Sequence, residues 1–367
     1  MKITKVDAFA LRVPLGRTIA DSFNVATHVG LSGARLFTDE GIVGTGFTTT
    51  LASGDDLIRM AIEQYYAPIL IGRDPFLVKK IWNDLYWSPL HWVGRQGITT
   101  MAMAAVDIAL WDVIAKALQK PLWRVLGGAK EKTIKTYNTD GGWLNKSVDE
   151  LLEHMKRILD QGWKGVKMKV GKPDPREDYD RVRRVRKAIG DDVSLMLDVN
   201  QTWDLNTALV WGKRLEEFHI GWLEEPLHPE DIRSHRILAK ELNIPIALGE
   251  HIYTRQAFRD YLLEEAVEII QADVTRVGGV TEWLQVADLA ACFNCPVIPH
   301  TADAGLVHQH LVAATLNSPM QEHVPFGVGG GVFKEPVDIR EGILHLPETP
   351  GASTEFIPEM FKKYRVA

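Results

Sequence analysis

Cysteine is scarce in this chain: two among 367 residues, Cys292 and Cys295. Two thiols alone cannot complete a zinc site. Their C-x-x-C spacing invites a redox reading, but in a redox dithiol the pair opens a helix whose dipole lowers the thiol pKa. Here the pair follows a helical run, Trp283 to Ala291, and precedes a short strand, so a structural role is expected. An excess of positive charge is also missing. Lys plus Arg number 42 against 48 Asp plus Glu, a formal charge of −6, which leaves no basic surplus for nucleic acid or anionic lipid. No long apolar run is uninterrupted: Thr99 to Leu118 carries Asp107 and Asp112, the pattern of a buried helix rather than a membrane span. Met1 to Leu15 alternates apolar and polar residues and includes Asp7, which reads as a strand and not a targeting peptide, so a cytoplasmic location is expected. Low-complexity segments, sequence repeats and an H-E-x-x-H motif are absent. Gly327 to Gly331 is glycine-rich but does not open a helix after a strand, so there is no dinucleotide fingerprint.

What is present is a globular composition, 46% apolar, arranged in two rhythms. Ile3 to Val13 and Ser32 to Phe37 alternate like strands, and Asp39-Glu40-Gly41 makes a hairpin turn into a further strand, Ile42 to Phe47. Helical patterns follow at Leu57 to Tyr66, Phe76 to Leu85 and Thr99 to Leu118, completing an α+β unit over residues 1–126. After Leu126-Gly127-Gly128 short apolar runs alternate with amphipathic stretches. The predicted strands are Ile134–Tyr137, Gly165–Lys169, Val193–Asp198, Ile220–Glu224, Ile244–Gly249, Glu268–Ala272, Pro296–Pro299 and Met320–Val324. Seven helical runs lie between these eight strands, from Val148–Leu159 to Leu306–Leu316, which is the order of a parallel TIM-like barrel lacking its last helix. A doubly wound open sheet would need fewer strands. The barrel is expected over residues 127–326, and a Gly- and Pro-rich, irregular tail over 327–367.

Charged residues recur where these strands end: Lys167 and Lys169, then Asp198, Glu224, Glu250, Asp273, His300 and Glu322. From Lys169 onward the gaps are 29, 26, 26, 23, 27 and 22 residues, each about one strand-plus-helix unit. Each residue alone has a plain explanation, since a carboxylate after an apolar run often caps the next helix. The set is different, because so many charges around one axis are costly unless paired or bound to metal. Asp198, Glu224 and Glu250 form an all-oxygen ligand set with room for water and substrate, which suits Mg²⁺ better than zinc. Lys167 and Lys169, two apart on a strand, share one face. Side by side and desolvated, each is expected to lower the other's pKa and leave a lysine able to act as a base. Asp273 is expected to hold and polarise His300, which approaches from the side opposite Lys169. Asn200 is within reach of a ligand, whereas Glu225 should point away into a salt bridge. His308 and His310 diverge on their helix and are not expected to be ligands.

These motifs together resemble the enolase superfamily, specifically its mandelate racemase subgroup, over essentially the whole chain. They are Lys167-Met168-Lys169, Asp198-Val199-Asn200, Glu224-Glu225-Pro226, Gly249-Glu250-His251, Asp273 through Gly279 and Pro299-His300, with Ala105 to Asp112 resembling the capping-domain helix. The resemblance implies a (β/α)₇β barrel under an N-terminal α+β cap, with the C-terminal segment packing back on the cap and loops near Arg17–Asn24 and Thr48–Gly54 closing over substrate. It implies Mg²⁺ on Asp198, Glu224 and Glu250, acid/base roles for Lys169 and for His300 with Asp273, and Lys167 and Glu322 at the substrate carboxylate. Asn200 and His251 would lie beside the substrate, a small carboxylate, and the enzyme would be a homo-oligomer, on the pattern of octamers built from dimers.

Within the subgroup, Thr139 to Leu144, Gly249-Glu250-His251 and Arg276 to Val280 are most similar to acid-sugar dehydratases such as those for L-fuconate and talarate/galactarate. The implied reaction removes the proton α to the carboxylate and eliminates the β-hydroxyl, giving a 2-keto-3-deoxy acid. Racemisation or epimerisation of a 2-hydroxy acid at the same carbon, and cycloisomerisation of a sugar acid, remain open at this stage. A non-catalytic barrel would be expected to have broken charge sets, and this one is intact.

Overall fold

The computed structural model describes residues 1–325 and 331–366. The glycine run at 327–330 and the expected 326/327 boundary lie outside the described residues. The chain opens with an antiparallel sheet in the order β1 (Ile3–Ala20), β2 (Val25–Thr38), β3 (Val43–Thr50). The β1–β2 hairpin is longer than its sequence suggests. Pro14 and Gly16 interrupt the alternation, yet the ladder resumes after a register shift and runs on to Ala20 opposite Val25. The segments expected as loops, Arg17–Asn24 and Thr48–Gly54, therefore begin as strand ends, to Ala20 and to Thr50, and are loops beyond. The hairpin tip is a short turn in which the Asp21 carboxylate accepts the N–H groups of Phe23 and Asn24.

Helix Ile98–Ala117 packs across this sheet. Gly44 and Gly46 of β3 allow the approach, since a Cβ at Gly46 would lie 2.1 Å from the Ala105 carbonyl. Among the described residues it is the helix long and apolar enough to span a membrane, but most of it is buried. Its two aspartates are structural. Asp107 accepts from the Thr281 N–H and hydroxyl, at 2.8 and 2.7 Å, on the barrel helix Val280–Cys292. Asp112 faces elsewhere and accepts from Thr45 N in β3 and Ala352 N in the C-terminal segment, each at 2.8 Å. Burial pushes the Asp107 carboxyl up to about 7 despite these bonds. The expected helix Leu57 to Tyr66 is α-helical only over Asp55–Met60 and continues as a π-helix, Ala61–Tyr66, ahead of Pro68.

The second unit is a parallel barrel of β4 (Thr133–Asn138), β5 (Gly165–Lys169), β6 (Ser194–Asp198), β7 (Ile220–Glu224), β8 (Ile246–Leu248) and β9 (Ile269–Ile270), neighbours in that order. The expected seventh strand is reduced to a bridge between Ile270 and Val297. Pro296 and Pro299 lack the N–H groups a longer ladder needs. Ile298 N still donates to Ile270 O and Val297 N to Asn317 O, and β10 (Met320–His323) pairs with β4 to close the ring. Intervening helices carry side-chain caps, among them a Ser147–Glu150 capping box. No helix directly follows β10 before the tail among the described residues, in keeping with the (β/α)₇β fold.

The tail is more regular than its composition implies. β11 (Asp338–Arg340) and β12 (Ile343–His345) form a hairpin, and β12 pairs antiparallel with β4, Ile343 opposite Lys135. Further on, Phe356 packs on Phe333, Phe47 and Phe9, joining the tail to the cap sheet. Cys292 is exposed and Cys295 buried, and both are free thiols.

The Asp107 contact joins cap to barrel and can be tested. Asp107→Ala leaves two buried donors of Thr281 unmatched and should lower unfolding stability by about 2–4 kcal/mol in denaturant titration, with Asp107→Asn losing less.

Candidate active site

Strand register brings the charged residues together. In β5, Val166, Met168 and Val170 pack into the outer core, so Lys167 and Lys169 turn inward. Lys169 is opposite Asp198 in the ladder, and Asp198 opposite Glu224. Glu250 follows β8 after Gly249. Beneath this layer the barrel is filled by Tyr137, Met196, Trp222, Ala247, Ile269 and Ile298.

Carboxylate oxygens of Asp198, Glu224 and Glu250 lie within 4.8 Å of one another, and all three residues are buried. Lys167 Nζ is 2.7 Å from both Glu224 Oε1 and Glu322 Oε1, and Lys169 Nζ is 2.5 Å from Asp198 Oδ2. These pairs reverse the expected lowering of the lysine pKa values. Burial and mutual repulsion do push downward, but the adjacent carboxylates outweigh both and hold Lys167 and Lys169 above the ordinary lysine value. Burial raises Glu224, whose Oε2 accepts from Gln271 Nε2 at 2.7 Å and Trp222 Nε1 at 3.1 Å. Glu322 also accepts from the Thr139 hydroxyl and the Thr301 N–H. Burial works against its charge, yet Lys167 and His300 keep it below the usual carboxylate range.

His300 Nδ1 is 2.7 Å from Asp273 Oδ2, and its Nε2 is 3.4 Å from Glu250 Oε2. Asp273 is fixed by the Thr275 N–H and hydroxyl and by Ala302 N. His308, set aside as a ligand on spacing, stands 3.7 Å behind Asp273 and is held by Asp303 at 2.6 Å. Burial opposes a charge on His300, but Glu250 and Asp273 win and bring it up to about 9. Asp273 in turn is pulled well below its ordinary value.

Above the carboxylates lies a cavity of about 250 Å³. Its barrel side is lined by Lys169, Asn200, Gln201, Glu250, His251, Arg276 and His300, and its roof by Ile19, Asp21, Phe23, Asn24, Thr49 and Leu51 of the cap, with Trp143 from the loop after β4. Lys167, Asp273 and Glu322 are buried outside this lining. Glu225 makes the expected salt bridge, with His251 Nδ1 at 2.9 Å, and bonds Gln201, but its carboxylate also lies within 4.8 Å of Glu250. Gln271, Trp222 and Thr301 escaped the sequence reading because they are neutral and reach the site through single hydrogen bonds to its carboxylates, whereas Thr139 appeared there only as part of a motif.

The three-carboxylate set fits Mg²⁺. It is all oxygen and buried, Glu250 Oε2 has no hydrogen-bond partner, and neither does the buried Asn200 Oδ1 at its edge. A second grouping, Glu225, Glu250 and His251, shares Glu250 but contains a nitrogen donor already bonded to Glu225.

Comparison with known proteins agrees with this geometry. A model described as mandelate racemase/muconate lactonizing enzyme, N-terminal domain, matches residues 11–127, and one described as enolase C-terminal domain-like matches residues 150–360. The L-talarate/galactarate dehydratase of Salmonella typhimurium is 36% identical over 325 residues, covering 89% of this chain and 80% of that protein. The arabinonate dehydratase of Saccharolobus solfataricus is 34% identical, covering 89% and 88%. A solved L-talarate/galactarate dehydratase variant with Mg and L-glucarate superposes with a TM-score of 0.93 at 33% identity, covering 100% of this chain and 92% of that one.

The His300–Asp273 pair generates a titration test. A histidine gaining an anionic partner keeps its proton to higher pH, so in the metal-free protein the His300 imidazole should titrate near pH 9 by NMR. Asp273→Asn should move that midpoint down, toward the ordinary histidine value. An unchanged midpoint would remove Asp273 from the assignment.

Proposed function

The chain belongs to the mandelate racemase/muconate lactonizing enzyme family of the enolase superfamily, and from that premise we propose that it is a Mg²⁺-dependent sugar-acid dehydratase, a hydro-lyase forming a 2-keto-3-deoxy acid. The observation that carries the reading is that Lys169 and His300 line one cavity together with Glu250, which belongs to the buried three-carboxylate set. Asp198, Glu224 and Glu250 would hold the ion. When bound, Mg²⁺ supplies positive charge that makes the proton beside the substrate carboxylate more acidic and offsets the carboxylates that keep the lysines protonated.

With that offset, the nearby Lys167 ammonium and the buried setting favour a neutral Lys169, which takes the α-proton. Lys167 stays charged between Glu224 and Glu322 and supports the substrate carboxylate electrostatically. His300, kept protonated by Asp273 and Glu250, donates to the departing β-hydroxyl. The cap roof excludes water while the carbanion character is highest. Asn200 and His251 orient the substrate from the rim. The same reading has the enzyme working in the cytoplasm as a homo-oligomer; the exposed Trp87, Trp92 and Val93 of the cap suit contact between copies.

Proton NMR of sugar acids with enzyme and Mg²⁺ in D₂O checks the reaction. A 2-keto-3-deoxy product is expected, and EDTA should abolish it. Lys169→Ala should suppress both α-proton exchange and dehydration by about 100- to 10,000-fold, whereas His300→Asn should retain exchange and lose elimination. Exchange with an epimer and no loss of water would make the enzyme a racemase. Full turnover in both variants would overturn the residue roles.

A further inference from the structure

We infer that the substrate carries a single carboxylate, at its barrel end, and only hydroxyls beneath the cap: an aldonate rather than an aldarate. The inference rests on the dehydratase reading and refines it. Among the described residues, Asp21 is the only ionisable group that the cap sheet presents to the cavity, and it is acidic. The nearby cap arginines are engaged elsewhere. Arg12 Nε bonds Asp55 at 3.0 Å, and Arg17 is clasped by Asp140 outside the cavity lining. A second carboxylate under this roof would meet no free cation and one like charge.

The cations on the barrel side stand at the carboxylate end of the cavity rather than under the cap, and Arg276 keeps an unpartnered Nε beside Glu250. His251 bonds Glu225, and Arg276 Nη1 donates to the Glu250 carbonyl at 3.2 Å and lies 3.7 Å from its carboxylate. Two of the polar groups that remain offer acceptors alone. Asn200 Oδ1, buried at the cavity wall, has no partner and can only accept, and the Asp21 carboxylate, although already bonded within its turn, likewise offers acceptors alone. Thr49 Oγ1, in the roof, is buried and unpartnered and can either donate or accept. Sugar hydroxyls both donate and accept and suit all three, whereas a carboxylate brings acceptors alone and leaves Asn200 Oδ1 unmatched. Leaving such groups unmatched is how a polar pocket rejects the wrong ligand.

The experiment pairs each aldonate with the aldarate of the same stereochemistry. Two readouts are taken on the Mg²⁺-loaded protein: kcat/KM for wild type, and calorimetric binding to Lys169→Ala, which needs no turnover. The best aldonate should exceed its aldarate by about 100-fold in both. Asp21→Asn, which keeps an acceptor for the turn, should narrow that ratio by raising use of the aldarate. Aldarates bound and processed equally well, or a ratio indifferent to Asp21→Asn, would overturn the inference and leave dehydration standing. Tighter aldonate binding with no α-proton exchange on either class would support the single-carboxylate pocket and overturn the dehydratase reading instead.

Discussion

Three carboxylates with oxygens inside 4.8 Å, sealed from water, repel one another. At an effective dielectric near 20, two such charges about 4 Å apart repel by ~4 kcal/mol. The barrel mouth is built around that repulsion. Lys167 bridges Glu224 and Glu322, Lys169 meets Asp198, His300 and Arg276 flank Glu250, and Gln271 and Trp222 donate to Glu224. The strands supply what no loop could, a ring of fixed origins from which short side chains converge. A divalent cation suits this oxygen set and would offset its repulsion. On the proposed reading, a bound cation would offset the carboxylates that hold Lys169 protonated and favour its acting as a base.

Much of this was legible in the sequence. A period of two set Lys167 and Lys169 on the inward face, and regular spacing put a charged residue at each strand end. The β5 and β7 boundaries were read correctly because their apolar runs end sharply at the charge. Other features were hidden for identifiable reasons. The seventh strand shrank because its prolines cannot donate. The β1–β2 ladder ran through Pro14 and Gly16 because long-range pairing overrode the local break. The lysine pKa values went the other way because counting Lys167 against Lys169 ignored carboxylates from other strands, 57 residues away in the case of Glu224. His308 was dismissed on helical spacing, yet it stands behind Asp273.

Cap and barrel divide the labour. The barrel supplies the charged residues of the cavity, while the β1–β2 tip and the end of β3 form its roof. The two aspartates that interrupt the apolar run of helix Ile98–Ala117 hold these parts together, Asp107 to the barrel and Asp112 to β3 and the tail. Their placement explains why a helix apolar enough for a membrane belongs in a core: each carboxylate meets backbone N–H donors there that lipid could not supply.

The most direct test of the central claim is a binding titration of Mn²⁺, as a spectroscopic stand-in for Mg²⁺, into the metal-free protein. The account predicts one ion per chain, competed by Mg²⁺, with affinity reduced at least about tenfold in Glu224→Gln and little changed in His251→Ala. Binding that survives Glu224→Gln but is lost in His251→Ala would move the ion to the Glu225, Glu250 and His251 grouping and contradict the account.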